Sequence, residues 1–238
     1  MKKSLHVQAL ASSFAMADEG MWMPQQLPEI ATELKAAGLA LNPADLTKLT
    51  EFPAAAIVSL GGCSASFVSP NGLVATNHHG VYGSIAHNST PENDLLANGF
   101  LAKTLSDEVP AAPGSRIFVT KAVDNVSDKV IDGNTAKLSG KKRIDAIEAN
   151  QKAIVAECEK DEGHRCTVAA YYGSLEFYLI KQLEIKDVRL VHAPAEGVGK
   201  FGGDTDNWMW PRHTGDYSFY RAYVSPEGKS ADFSVENV

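Results

Sequence analysis

No run of about 18 or more apolar residues occurs in the 238-residue chain, so no segment reads as a membrane-spanning helix and no membrane partner is expected. Internal repeats and low-complexity tracts are also absent, which excludes repeat architectures. Positive charge is in deficit: 22 Lys and Arg face 29 Asp and Glu, a formal net charge of -7. Nucleic acid is therefore a poor partner, because phosphate binding needs a basic face. Zinc-type spacings are missing. His78, His79, His87 and His213 could be considered for a two-histidine metal site, but none has a helical i, i+4 histidine partner or an acidic cluster at a known spacing. Neither a metal nor a cofactor is expected. Cysteine is scarce, with three in all. Cys158 and Cys166 flank Glu162-Gly163, where the chain can turn. They read as a local disulfide suited to an oxidising compartment, or as two free thiols. Cys63 has no obvious partner.

What is present is ordinary for a soluble globular protein: 44% of residues are apolar and 21% charged. The length suits one large domain or two small ones. At the N-terminus, Lys2 and Lys3 precede a small apolar stretch from Leu10 to Ala17, interrupted upstream by His6 and Gln8. Ala15-Met16-Ala17 before Asp18 fits a cleavage site, so residues 1–17 read as a signal peptide or its remnant, with a frayed terminus as the alternative. The expected localisation is periplasmic or secreted.

Helical spacing of Leu27, Ile30, Leu34 and Ala37 predicts a helix over 25–37, stopped by Gly38. Asn42 caps a second short helix with Pro43 at its first position. From Ala54 to Asn77 the pattern is antiparallel β, with Pro70-Asn71-Gly72 as a tight turn before a return strand at Leu73–Thr76. Residues 95–105 read as partly helical and 116–123 as a strand. Residues 141–159 are the clearest helix, with Ile144, Ile147, Ile154, Val155 and Cys158 on one apolar face. Residues 167–172 and 175–191 return to β patterns. A glycine-rich loop follows at 197–203, then a strand at 217–224. This order, β then helices near 125–160 then β, fits a β-barrel lobe interrupted by helices better than an alternating α/β sheet.

Two segments carry chemistry. The hairpin from Gly61 to His79 delivers a histidine at the end of Leu73-Val74-Ala75-Thr76-Asn77-His78-His79. Chymotrypsin-like proteases mount their general base on a hairpin of this pattern, where a rigid strand end holds the imidazole at a cleft. Downstream, Gly215-Asp216-Tyr217-Ser218-Phe219-Tyr220 opens a strand with an aspartate, the residue type that orients such a histidine by accepting its Nδ1–H. Each segment alone also reads as structure: a surface histidine pair and a turn.

Longer strings narrow the reading. Gly61-Gly62-Cys63 with Ser66-Phe67-Val68-Ser69 and Thr76-Asn77-His78-His79 resembles the bacterial dipeptidyl-peptidase 7 and 11 family, serine peptidase family 46. So do Phe201-Gly202-Gly203-Asp204 through Asp206-Asn207-Trp208-Met209-Trp210-Pro211-Arg212-His213-Thr214-Gly215-Asp216 and the opening Asp18-Glu19-Gly20-Met21-Trp22. The resemblance implies a secreted or periplasmic serine dipeptidyl-peptidase that acts on peptides with a free N-terminus and works as a homodimer at full length, without metal. It implies a mainly β fold with a helical insertion: a chymotrypsin-like β-barrel lobe plus part of an inserted α-helical domain. On that basis residues 18–124 hold the N-terminal segment and the first part of the lobe, 125–162 the helical insertion, and 163–238 the rest of the lobe. His79 is then the catalytic base and Asp216 its orienting carboxylate. Asn207 and Trp208 hold the substrate's ammonium, an acceptor and a π-face being what that cation needs. Trp210 is assigned to packing.

The sequence departs from the family twice. Gly80 stands where the family usually has a cysteine paired with the one matched by Cys63. No Gly-x-Ser-Gly segment occurs in the 238 residues, so the second barrel and its nucleophilic serine are expected to be absent. The chain alone is expected to be inactive. The alternative is a non-catalytic module that binds peptide N-termini.

Overall fold

Gly72 makes the turn on which the sheet is registered. Its φ of 65° lies in the left-handed region, and a Cβ there would fall 2.4 Å from the Ala222 carbonyl oxygen, so only glycine fits. The Ser69 hydroxyl accepts from the amides of Asn71 and Leu73 and closes the same turn. The computed structural model describes residues 22–200 and 214–237. The chain divides into two units, 1–47 and 48–238. The first holds a 3-10 turn at Pro24–Gln26, α1 (Ala31–Ala36) and a 3-10 turn at Pro43–Thr47. The helix expected over 25–37 is thus cut to its second half. Pro28 lies inside the expected span, lacks an amide hydrogen and clashes with the preceding turn. Asn42 does accept from the Ala44 amide ahead of Pro43.

The second unit is mainly antiparallel β. Its strands are β1 (Ile57–Ser59), β2 (Ser64–Phe67), β3 (Leu73–Thr76), β4 (Phe100–Leu101), β5 (Val109–Pro110), β6 (Ile117–Asn125), β7 (His164–Tyr171), β8 (Glu176–Ile185), β9 (Val188–Ala193) and β10 (Ser218–Ala222). They pair in the order β4-β9-β10-β3-β2-β1-β6-β8-β7, with β5 also on β9. Val58, Val74, Ile117, Ile185, Leu190 and Tyr220 share one buried cluster. These residues come from strands far apart in the ladder order, so the sheet curls around a single core as a barrel lobe does. Fully burying side chains of this size stabilises by roughly 1.5–3 kcal/mol each.

The helices are α2 (His78–Asn88), α3 (Leu95–Asn98), α4 (Ser127–Val130), α5 (Gly140–Cys158) and α6 (Glu196–Gly199). Ile147 and Ile154 of α5 pack on Val126, Val130 and Phe177. Ile144, assigned by spacing to the same face, is 58% exposed. A Cys158–Cys166 disulfide ties the end of α5 to β7. No described helix is long and apolar enough to cross a membrane.

Helix α2 was not anticipated: the sequence reading ends the hairpin in His78-His79 and continues with no element. Gly80 and Gly83 weaken its intrinsic propensity. It forms because Val81 and Ile85 are fully buried and Ser84 nearly so, which makes it a product of tertiary packing.

Candidate active site

Antiparallel register brings the site together. β3 and β10 pair Thr76 with Ser218 and Val74 with Tyr220. The residues just after β3 therefore meet those just before β10. His79 is the second residue of α2, and its Nδ1 lies 3.0 Å from Asp216 Oδ2. An ionised carboxylate only accepts, so this bond requires the Nδ1–H tautomer and leaves Nε2 with its lone pair. The His79 side chain is 47% exposed. The His79 amide donates to Asp216 Oδ1 at 3.2 Å. Asn77 Nδ2 donates to Asp216 Oδ2 at 3.1 Å.

Asp216 is therefore acceptor to the start of α2 as well as to the ring. Burial alone would raise its pKa. The His79 amide, the His79 ring and the His78 amide outweigh burial and hold the carboxyl below its ordinary 3.8. The ionised form then contributes stability above 3.8, and that contribution is lost as the pH falls through the lower native value. The stability gap between the parent and Asp216→Asn, read by urea denaturation, is expected to be widest near neutral pH and to close below pH 3.8. A gap that stays constant into acid would show that ionised Asp216 does not support the helix.

Behind this pair, α2 is fastened from below. Ser84 Oγ receives the Tyr220 hydroxyl at 2.6 Å and the Ala112 amide at 2.9 Å. Asn88 donates to the Pro110 carbonyl at 2.9 Å. His78 is completely buried, and neither ring nitrogen has a hydrogen-bond partner in bonding geometry. Burial pushes its pKa down. Asp216 and the Pro194 carbonyl pull it up, Lys200 adds to the push, and Glu196 pulls it up. The net direction is down, so the imidazole is neutral at pH 7. Its ring lies against Gly199, where a Cβ would come within 2.5 Å of His78 Cγ. The start of the glycine-rich loop expected over 197–203 is instead the end of α6, and its Gly199 lets the backbone pack directly on the buried histidine. Tyr82 meets His78 edge-on, and Lys200 sits 3.8 Å above the Tyr82 ring.

These features are a histidine and an aspartate in His-then-Asp order, in contact at the end of a curled antiparallel lobe. A family model described as Peptidase S46 matches residues 17–238. The chain belongs to the peptidase S46 family. It is 46% identical over 229 residues to an Asp/Glu-specific dipeptidyl-peptidase of Shewanella putrefaciens, covering 96% of this chain and 31% of that protein. It is 39% identical over 234 residues to dipeptidyl-peptidase 7 of Porphyromonas gingivalis, covering 95% and 32%. The crystal structure of Porphyromonas endodontalis DPP11 in complex with substrate superimposes with a TM-score of 0.76 at 32% identity, over 93% of this chain and 33% of that one. The chain spans about a third of the length of these relatives.

Within the S46 chain, Asn207, Trp208 and Trp210 lie outside the described residues, as does the expected signal segment 1–17. Among the described residues, no group of three or more His, Cys, Asp or Glu could hold a metal. Three contributors were not read from sequence: Asn77, the Ser84–Tyr220 fastening and the His78–Gly199 contact. Asn77 stands inside the very string that marks the hairpin, so its position was visible although its role was not. The other two depend on α2, whose existence the pattern hid.

Proposed function

We propose that the chain carries the general base and orienting carboxylate of a periplasmic or secreted serine dipeptidyl-peptidase that releases dipeptides from free peptide N-termini. The observation that carries this reading is the 3.0 Å contact between His79 Nδ1 and Asp216 Oδ2. With Nδ1–H held by the carboxylate, Nε2 takes the proton of an attacking serine hydroxyl and returns it to the leaving amine. Asp216 stabilises the imidazolium formed in between. The names of the S46 relatives support the dipeptidyl specificity, and the Cys158–Cys166 bond suits an oxidising compartment. On this reading Asn207 and Trp208 hold the substrate ammonium and set the count of two residues. The full-length protein acts as a homodimer.

The 238 residues contain no Gly-x-Ser-Gly segment, and we propose that by themselves they do not turn over peptides. Two measurements test the reading. Calorimetry with free and N-acetylated dipeptides is expected to show binding only of the free amine, weakened by Trp208→Ala. Equal binding of both forms would remove the exopeptidase reading. A dipeptidyl-naphthylamide assay on the chain is expected to show no turnover. Turnover abolished by His79→Ala would overturn the claim of inactivity. Free-amine binding that is indifferent to every substitution at His79, from a full-length form that is also inert, favours the non-catalytic module.

A further inference from the structure

We infer that Asn77 is a positioning residue for the His79–Asp216 pair, turned away from the capping role its place in the chain would give it. The inference rests on reading His79 as the general base. Asn77 is the N-cap of α2, with extended backbone angles of φ -77° and ψ 152°. An asparagine there normally accepts from an amide in the first helical turn. This one makes no such bond. Its Nδ2 points instead to Asp216, 3.1 Å from Oδ2 and 3.4 Å from the Asp216 carbonyl oxygen. The amide it leaves is served by Asp216 itself, whose Oδ1 accepts from the His79 N–H. A carboxylate 139 positions away along the chain has thus taken over the cap.

The exchange fixes both carboxylate oxygens. Oδ1 takes the helix amide, and Oδ2 takes Asn77 Nδ2 together with His79 Nδ1, at 3.1 and 3.0 Å. A carboxylate bound on one oxygen can turn about its Cβ–Cγ bond, whereas one bound on both cannot without breaking a bond. The ring that depends on Oδ2 is then held in one orientation and one tautomer. The side-chain nitrogen must face the carboxylate, because two oxygens would repel there. Asn77 is exposed. Its replacement leaves no cavity, so a change at Asp216 or His79 reports the lost hydrogen bond.

The test uses the 238-residue chain with labelled histidine and aspartate, read by nuclear magnetic resonance. In Asn77→Ala the Asp216 carboxyl is expected to titrate at higher pH than in the parent, and His79 to lose its preference for the Nδ1–H tautomer. In Asn77→Asp the Asp216 midpoint is expected to move further up, since an acceptor replaces the donor. The thermal midpoint of that variant at neutral pH should fall along with this rise, because a carboxyl whose native pKa is raised loses stability above it, and the loss should shrink in acid. An alanine variant with the parent's Asp216 titration and His79 tautomer overturns the inference. So does an aspartate variant whose Asp216 titration matches the parent's, which would mean that residue 77 does not act on the carboxylate. Neither readout involves peptide. Loss of free-amine binding would sink the peptidase reading and leave these signals as they are, whereas unchanged signals would sink only the role of Asn77.

Discussion

Glu108→Ala is expected to destabilise the protein by about 3–5 kcal/mol, the cost of leaving a buried charge without its partner. The Glu108 side chain is 1% exposed and that of Arg221 14%, and they meet at 2.7 Å. The other Glu108 oxygen accepts the Tyr223 hydroxyl at 2.6 Å. Burial, followed by the Glu108 carboxylate, drives the Tyr223 pKa well above the ordinary tyrosine range, so the phenol stays protonated and donates. Arg221 and Tyr223 belong to β10 and the residue just after it, while Glu108 directly precedes β5. The carboxylate therefore fastens β10 to the edge of the lobe, and Asp216 lies two residues before that strand. Removal leaves the Arg221 guanidinium with the Asn71 carbonyl as its remaining acceptor but no counter-charge, and the Tyr223 hydroxyl without its acceptor. In urea denaturation the loss should appear as a lower midpoint at unchanged slope. In a thermal scan it should appear as a fall of roughly 6–20 °C for a chain of this size. The triple variant Glu108→Leu, Arg221→Met, Tyr223→Phe is expected to recover most of it, because an apolar replacement of the cluster leaves no buried charge unpaired and the Asn71 carbonyl that Arg221 also serves lies on an exposed residue. A single-variant loss under about 1 kcal/mol would show that water already reaches the cluster.

The legible and the hidden parts of this chain divide on physical lines. The hairpin from β2 to β3 is legible because Pro70-Asn71-Gly72 demands a turn and its flanks alternate. The long ribbon of β6, β7 and β8 is legible because its strands run eight to ten residues and are rich in β-branched and aromatic side chains. The approach of His79 to Asp216 could be anticipated because each lies at the end of a strand, and antiparallel pairing of β3 with β10 brings those ends together. Helix α2 was hidden because its apolar residues are few and two glycines lie among them, so its evidence is burial by distant strands. Asn77 was hidden for a related reason. A cap is a local expectation, and Asp216 overrode it from the far side of the sequence. Glu108 had no signal at all, since nothing in its neighbourhood marks an isolated carboxylate as buried.

Gly80→Cys is expected to form a disulfide with Cys63 and to stabilise the chain by about 3 kcal/mol, the chain-entropy value for a loop of this size. Gly80 follows His79 directly and lacks the cysteine that the family resemblance implies there. A Cβ at residue 80 would lie 3.0 Å from Cys63 Sγ and 3.2 Å from Cys63 Cβ. Across a disulfide, a Cβ stands about 3.0 Å from the opposite sulfur, given an S–S bond of about 2.04 Å. The Cβ pair is a few tenths of an ångström closer than the usual ~3.5–4.5 Å, so the backbone must give slightly. Gly80 has no positive φ to oppose a side chain. Alanine at the same position would bring the crowding without the bond and should destabilise. The opposite signs of the two substitutions therefore separate covalent linkage from simple filling of space. After air oxidation, thiol titration should find no free cysteine in the variant and one, Cys63, in the parent. The thermal midpoint should rise by roughly 6–12 °C, and reductant should abolish the gain. Two free thiols after oxidation would mean that the start of β2 and the first turn of α2, which carries His79, stand further apart than the 3.0 Å between a residue-80 Cβ and Cys63 Sγ requires.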